Sequence, residues 1–168
     1  MPRVLVVVTV VLFASGCAGL TQLAQLVQPP RFDHADDRPA EIRLLSPTPG
    51  LPAGGAGVRI WLEVENPNAF GFTLSTLAAT LALEGRRAAT GHFPLGLPLG
   101  AGQQTVIPID LSISFADLPA LAGSLRRIAS GDTVAYALDG TVGVDAGRFG
   151  TPTFGPMPLA GGELRVIR

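Results

Sequence analysis

The chain has 168 residues, enough for one ordinary domain whose core can bury well over half of the unfolded surface. Hydrophobic residues make up 47 % and charged residues 15 %, with a formal net charge of −1, so the chain lacks the electrostatic footprint of a nucleic-acid binder. All 12 basic residues are Arg, and the 15 Pro and 21 Gly are scattered among apolar runs, which favours many short strands over long helices or disorder.

The N-terminal stretch MPRVLVVVTVVLFASGCAGL opens with one positive charge at Arg3, continues with an unbroken apolar run from Val4 to Phe13, and closes with small residues before Cys17. This is the pattern of a secretory signal. A ten-residue helix over that run would be about 15 Å long, roughly half of a bilayer's hydrocarbon thickness, and so a poor permanent span. The bland alternative is an uncleaved anchor from Val4 through Leu20, just long enough to cross. The sequence ASGC resembles the lipobox of bacterial lipoproteins, in which the signal is removed just before a cysteine that receives a diacylglyceryl group. Cys17 is the only cysteine, so no internal disulfide competes for its thiol. Residues 1–16 are therefore expected to be a signal peptide and Cys17 a lipidation site. The lipobox resemblance, with Ala18 rather than Asp after the cysteine, implies an envelope protein on the outer membrane facing the periplasm.

Residues 17–40 read as the lipidated N-terminus and a linker. Leu20, Leu23, Leu26 and Val27 have helical spacing until Pro29-Pro30 stops the helix. His34 lies among Asp33, Asp36 and Asp37, but nothing adjacent would hold these groups in a ligating geometry, so a solvated tether is expected rather than a metal site.

From residue 41 to 168 the period is close to two, as in half-buried strands. EIRLL gives a first short strand. In the next, Val58, Ile60, Leu62 and Val64 share a dry face, opposite Arg59, Trp61, Glu63 and Glu65. The chain turns at Asn66-Pro67-Asn68. Phe72 and Leu74 then share one parity while Leu77, Ala79, Leu81 and Leu83 share the other, which requires a bulge or break near Ser75-Thr76. EGRR is a tight turn into AATGHFP, and LPLGAGQQ reads as a loop. Thr105, Ile107, Ile109, Leu111, Ile113 and Phe115 mark the clearest strand, with Pro108 pointing to an edge or a bulge. Leu118, Leu121, Leu125 and Ile128 predict one α-helix, capped by Asp117 and ended by Gly131. TVAYALDGTVGVDA and GELRVIR return to strand. The predicted fold is mainly β: an antiparallel β-sandwich, immunoglobulin- or fibronectin-like, of about seven strands with one α-helix.

An alternating strand ending in Asn66-Pro67-Asn68, followed by FGFTLSTLAATLALEGRRAATG, a loop, a long alternating strand, one helix and closing strands resembles the type 2 late-embryogenesis-abundant domain. That domain is also called the WHy (water stress and hypersensitive response) domain. The resemblance covers residues 41–168 and implies a β-sandwich with one helix, an association with tolerance of drying, cold and other stresses, and no defining enzyme activity. By its own chemistry Asn66-Pro67-Asn68 is first a loop-shaping element, because Pro67 pushes Asn66 toward extended backbone and Asn hydrogen-bonds nearby backbone. The competing reading makes Asn66, Pro67, Asn68, Phe70 and Phe72 a contact surface.

No G-x-S-x-G elbow, H-E-x-x-H helix, paired-cysteine motif or P-loop occurs. Only His34 and His92 could serve as imidazole bases, and His92, in a short strand beside Phe93, reads as a partly buried or surface side chain. No enzyme activity, cofactor or metal is expected. The expectation is a monomeric, lipid-anchored envelope protein whose partners are the membrane and unfolding proteins or lipids. The alternative is a lipid- or ligand-binding accessory in membrane assembly with an apolar groove between the sheets.

Overall fold

The computed structural model describes residues 26–114, 116, 127, 130 and 132–166. The expected signal peptide and Cys17 lie outside these residues. So does the predicted helix, except for Arg127 and Ser130, which are both helical.

The described residues form eight strands: β1 (Arg31–His34), β2 (Glu41–Leu45), β3 (Gly55–Glu65), β4 (Phe72–Leu83), β5 (Arg86–Leu99), β6 (Gln104–Ser114), β7 (Val134–Asp145) and β8 (Thr153–Val166). They build the expected antiparallel sandwich of two sheets. In the first sheet β3 is central, with β6 along one edge and β1 then β2 in tandem along the other. The second sheet has the order β5-β4-β7-β8. The sheets are joined on one side, where the end of β8 pairs in parallel with β2 through Glu41↔Arg165 and Ile42↔Val166.

Alternation along β3 puts Val58, Ile60, Leu62 and Val64 in the core, where they meet Ile109, Leu111 and Ile113 of β6 and Leu74, Leu77, Leu81 and Leu138 of the second sheet. Burying each such side chain contributes roughly 1.5–3 kcal/mol. The parity change in β4 is a bulge at Ser75, present in the pairing with β5 and with β7 alike. Gly143 lies beside it, and a Cβ there would come within 2.5 Å of Thr76 Oγ1, so the bulge and this glycine require each other. Glu84 (φ 48) and Gly85 (φ 76) give the β4–β5 hairpin two consecutive left-handed residues, the backbone twist that a two-residue connection needs.

Three sequence expectations change. The tether to residue 40 is folded from Val27 on: Val27, Ala35 and Ala40 are buried and β1 pairs with β3. Pro29-Pro30 ends helix but leaves an extended chain, and a four-residue strand within a charged segment has too little periodicity to be seen. LPLGAGQQ is a loop only from Gly100, since Leu97, Pro98 and Leu99 still pair with Leu74, Thr73 and Phe72. The last strand is 14 residues long and begins at Thr153, well before GELRVIR. Pro108 does mark an edge. Among the described residues β6 pairs only with β3, and β5, which carries Pro94 and Pro98, pairs only with β4.

Candidate functional site

The Asn66-Pro67-Asn68 turn is built inward. Asn66 is 0 % exposed and Asn68 4 %, and they are the buried polar side chains among the described residues. Asn66 Nδ2 donates to the carbonyls of Phe70 (2.8 Å), Gly100 (2.9 Å) and Leu99 (3.2 Å). Its Oδ1 accepts from the backbone N–H and from Nδ2 of Asn68, each at 3.0 Å. Asn66 N–H donates to the Gln103 carbonyl at 2.9 Å. One side chain thus ties the β3–β4 loop to the β5–β6 turn. Pro67 sits between the two amides without an N–H of its own, so no third donor needs a partner in this dry corner.

Asn68 reaches the other way. Its Oδ1 accepts from Gln28 N–H at 2.8 Å and its Nδ2 donates to Gln28 O at 3.0 Å, so a side-chain amide pairs with a backbone residue as a neighbouring strand would. This clamp fixes the point where the N-terminal chain joins the sandwich. No buried side-chain N or O among the described residues lacks a hydrogen-bond partner. The two asparagines therefore have no donor left aimed at a ligand.

The aromatic half of the suggested contact surface divides. Phe72 is in the core at 5 % exposure, whereas Phe70 is half-buried and stacks on Phe149 with ring centroids 4.4 Å apart. Arg148 lies over the Phe149 ring at 4.8 Å.

A second pair escaped the sequence. Tyr136 Oη, on β7 of one sheet, lies 3.1 Å from His34 Nδ1 on β1 of the other. Burial pushes the Tyr136 hydroxyl above its ordinary pKa, because the phenolate would lose its hydration. The signal available was Tyr136 itself, the only tyrosine, on the inward parity of its strand and so in need of a hydroxyl partner. Asp33, Asp36 and Asp37 are exposed around His34, and no group of three or more His, Cys, Asp and Glu among the described residues could hold a metal. His92 is exposed on β5.

On the outer face of the first sheet, Trp61 is half-buried between the guanidinium groups of Arg38 (4.7 Å) and Arg59 (5.8 Å). Arg59 also makes a two-pronged pair with Asp110, directly opposite on β6, at 2.7 and 2.9 Å. The hydrogen bonds from Arg59 hold the Asp110 carboxyl below its ordinary pKa of 3.8. The sign follows: the pair stabilises the fold above that ordinary value, and its contribution disappears as pH falls through the lowered one. Asp110→Asn is expected to lower Tm slightly at neutral pH and to leave it unchanged in strong acid, so that the acid limb below about pH 4 is flatter; both effects are small because the pair is exposed and screened by salt. An unchanged acid limb would show that the pair is not formed in solution.

A groove of about 580 Å³ runs beside β1, lined by Phe32, His34, Asp36, Glu63, Glu65 and Met157 among others. It lies on the flank of the sandwich and its carboxylates face water.

The family model for late embryogenesis abundant protein matches residues 62–158, which include the Asn66-Pro67-Asn68 turn and strands β4 to β7 entire. The chain belongs to the late embryogenesis abundant protein family. No curated protein matches its sequence. A protein from Arabidopsis thaliana, solved in solution, is similar in structure with a TM-score of 0.59 at 18 % identity, over 84 % of this chain and 85 % of that one. A putative late embryogenesis abundant (LEA) protein, also solved in solution, is similar with a TM-score of 0.53 at 18 % identity, over 92 % of this chain and 76 % of that one. At such identities the likeness is one of fold. What this late embryogenesis abundant protein shares with both is the antiparallel β architecture.

Proposed function

We propose that this chain is a non-enzymatic, lipid-anchored protein of the bacterial cell envelope, whose WHy-type sandwich protects proteins and membranes during drying, cold and related stress. The observation that carries this reading is the family match at residues 62–158, together with the fate of the family turn. Its polar groups are consumed in holding the sandwich together rather than presented to a substrate. A domain of this kind acts through its surface and its own persistence. The lipid anchor is assigned to Cys17, where the signal-like segment ends in a lipobox-like ASGC, and the outer membrane facing the periplasm is the proposed location.

The test has two arms. A labile enzyme frozen or dried with the purified protein is expected to keep more activity than with an equal mass of an inert protein; equal loss in both would remove the protective role. Separately, wild type and Cys17→Ala are expected to differ in membrane fractionation, and the wild-type intact mass is expected to show loss of the signal and gain of acyl chains. Identical behaviour of the two would replace the lipid anchor by an uncleaved N-terminal one.

A further inference from the structure

One end of the sandwich is formed by the β3–β4 loop, the β5–β6 turn, the β7–β8 loop and the entering N-terminal segment, brought together by the pairings Arg31↔Glu65, Glu65↔Gln104, Phe72↔Leu99 and Thr73↔Asp145. Across the loop segments 26–30, 66–71, 100–103 and 146–152 there is one charged residue, Arg148, with Arg31, Glu65 and Asp145 on the strand ends beside them. The opposite end carries Glu84, Arg86, Arg87, Arg127 and Asp132.

The first end also carries apolar side chains. Leu26 is 60 % exposed, and it is the exposed large hydrophobic residue among those described. Phe149 and Phe70 are half-buried at the rim, with the Arg148 guanidinium above Phe149. An exposed aliphatic group and half-buried aromatic rings beside an arginine suit the boundary between acyl chains and lipid headgroups, where rings sit at headgroup level and a guanidinium reaches phosphate.

The connectivity selects the same end. Asn68 clamps Gln28 to it, so the chain leading back to Cys17 emerges from this end and no other. Nine residue steps separate Cys17 from Leu26. Fully extended they reach about 30 Å, so a lipid on Cys17 keeps this end within one domain diameter of the bilayer.

We propose that this end of the sandwich, centred on Leu26, Phe70 and Phe149, rests on the membrane surface, with lipid as its partner. The inference builds on the lipid anchor at Cys17 and adds a docking face and an orientation: Arg86 and Arg87 point away from the bilayer.

The single tryptophan makes the test clean. Trp61 lies on the sheet face, away from this end. Full-length chain carrying Trp61→Phe and Phe149→Trp would be produced in bacteria, extracted in detergent and reconstituted into vesicles of phosphatidylethanolamine and phosphatidylglycerol, with lipids brominated near the head of the acyl chain as quencher. The expected result is that the protein floats with the vesicles and the indole at position 149 is quenched about twofold, while Trp61 in the wild-type chain is not. Leu26→Glu in the same background is expected to reduce that quenching. Protein that floats with position 149 unquenched would overturn the docking face and leave the anchor standing. Protein that does not float would overturn the anchor, and the docking face with it.

Discussion

Asn66→Ala is expected to lower the stability of the domain by about 4 kcal/mol, a large part of what a domain of this size has. The loss is not that of one hydrogen bond. Removing the amide takes the side-chain donor from the carbonyls of Phe70 and Leu99 and the acceptor from the Asn68 N–H, in a corner where Asn66 was wholly buried, while the Gly100 carbonyl keeps only the Gln103 N–H. Each buried group left without a partner costs about 1–3 kcal/mol, and relaxation or an entering water recovers part of the total. Asn66→Asp is expected to do no better, because it aims a second acceptor at three carbonyl oxygens and buries a charge. Asn68→Ala should cost less but localise its effect. It frees Gln28, so trypsin is expected to cut at Arg31 earlier than at other sites. Urea denaturation of the full chain measures the first effect; a change below about 1 kcal/mol for Asn66→Ala would show that water fills the network without penalty.

Alkaline pH is expected to weaken the fold through one residue. The chain has no lysine, and its arginines stay charged, so between about pH 9 and 12 Tyr136 is the titrating side chain of the described domain. Its hydroxyl pKa is raised in the folded state by burial. A raised value means that stability is complete below the unfolded value of about 10 and is lost as pH climbs through the folded one, at about 1.4 kcal/mol per pH unit for one proton. Tyr136→Phe is expected to be about 1 kcal/mol less stable at neutral pH, having lost the bond to His34, and to lack the alkaline slope. Chemical denaturation at stepped pH, with tyrosinate absorbance read in parallel, checks both. A slope that survives in Tyr136→Phe would assign the alkaline limb elsewhere.

These two sites show where sequence patterns stop being informative. Strands β3 and β6 were legible because one face of each is buried and the other wet, and the Ser75 bulge was legible because a change of parity has no other cheap explanation. Strand β1 was not, since four residues are too few to show a period and their partner on β3 is some thirty residues away. The length of β5 was concealed by Pro94, Gly96 and Pro98, residues that mean loop in a central strand and are tolerated on an edge. The tripeptide Asn66-Pro67-Asn68 announced a turn. Its partners, Gln28 at a separation of 40 residues and Gly100 at 34, are fixed only by the assembled sandwich.

The prolines on the two outer strands bear on what happens when water leaves. Strands β5 and β6 present edges without a neighbouring strand among the described residues, and such edges template aggregation once molecules crowd together. Pro94, Pro98 and Pro108 interrupt both with positions that have no N–H to offer. As the surrounding solution shrinks and local concentration climbs, these interruptions hinder copies of this chain from extending a continuous ladder edge to edge.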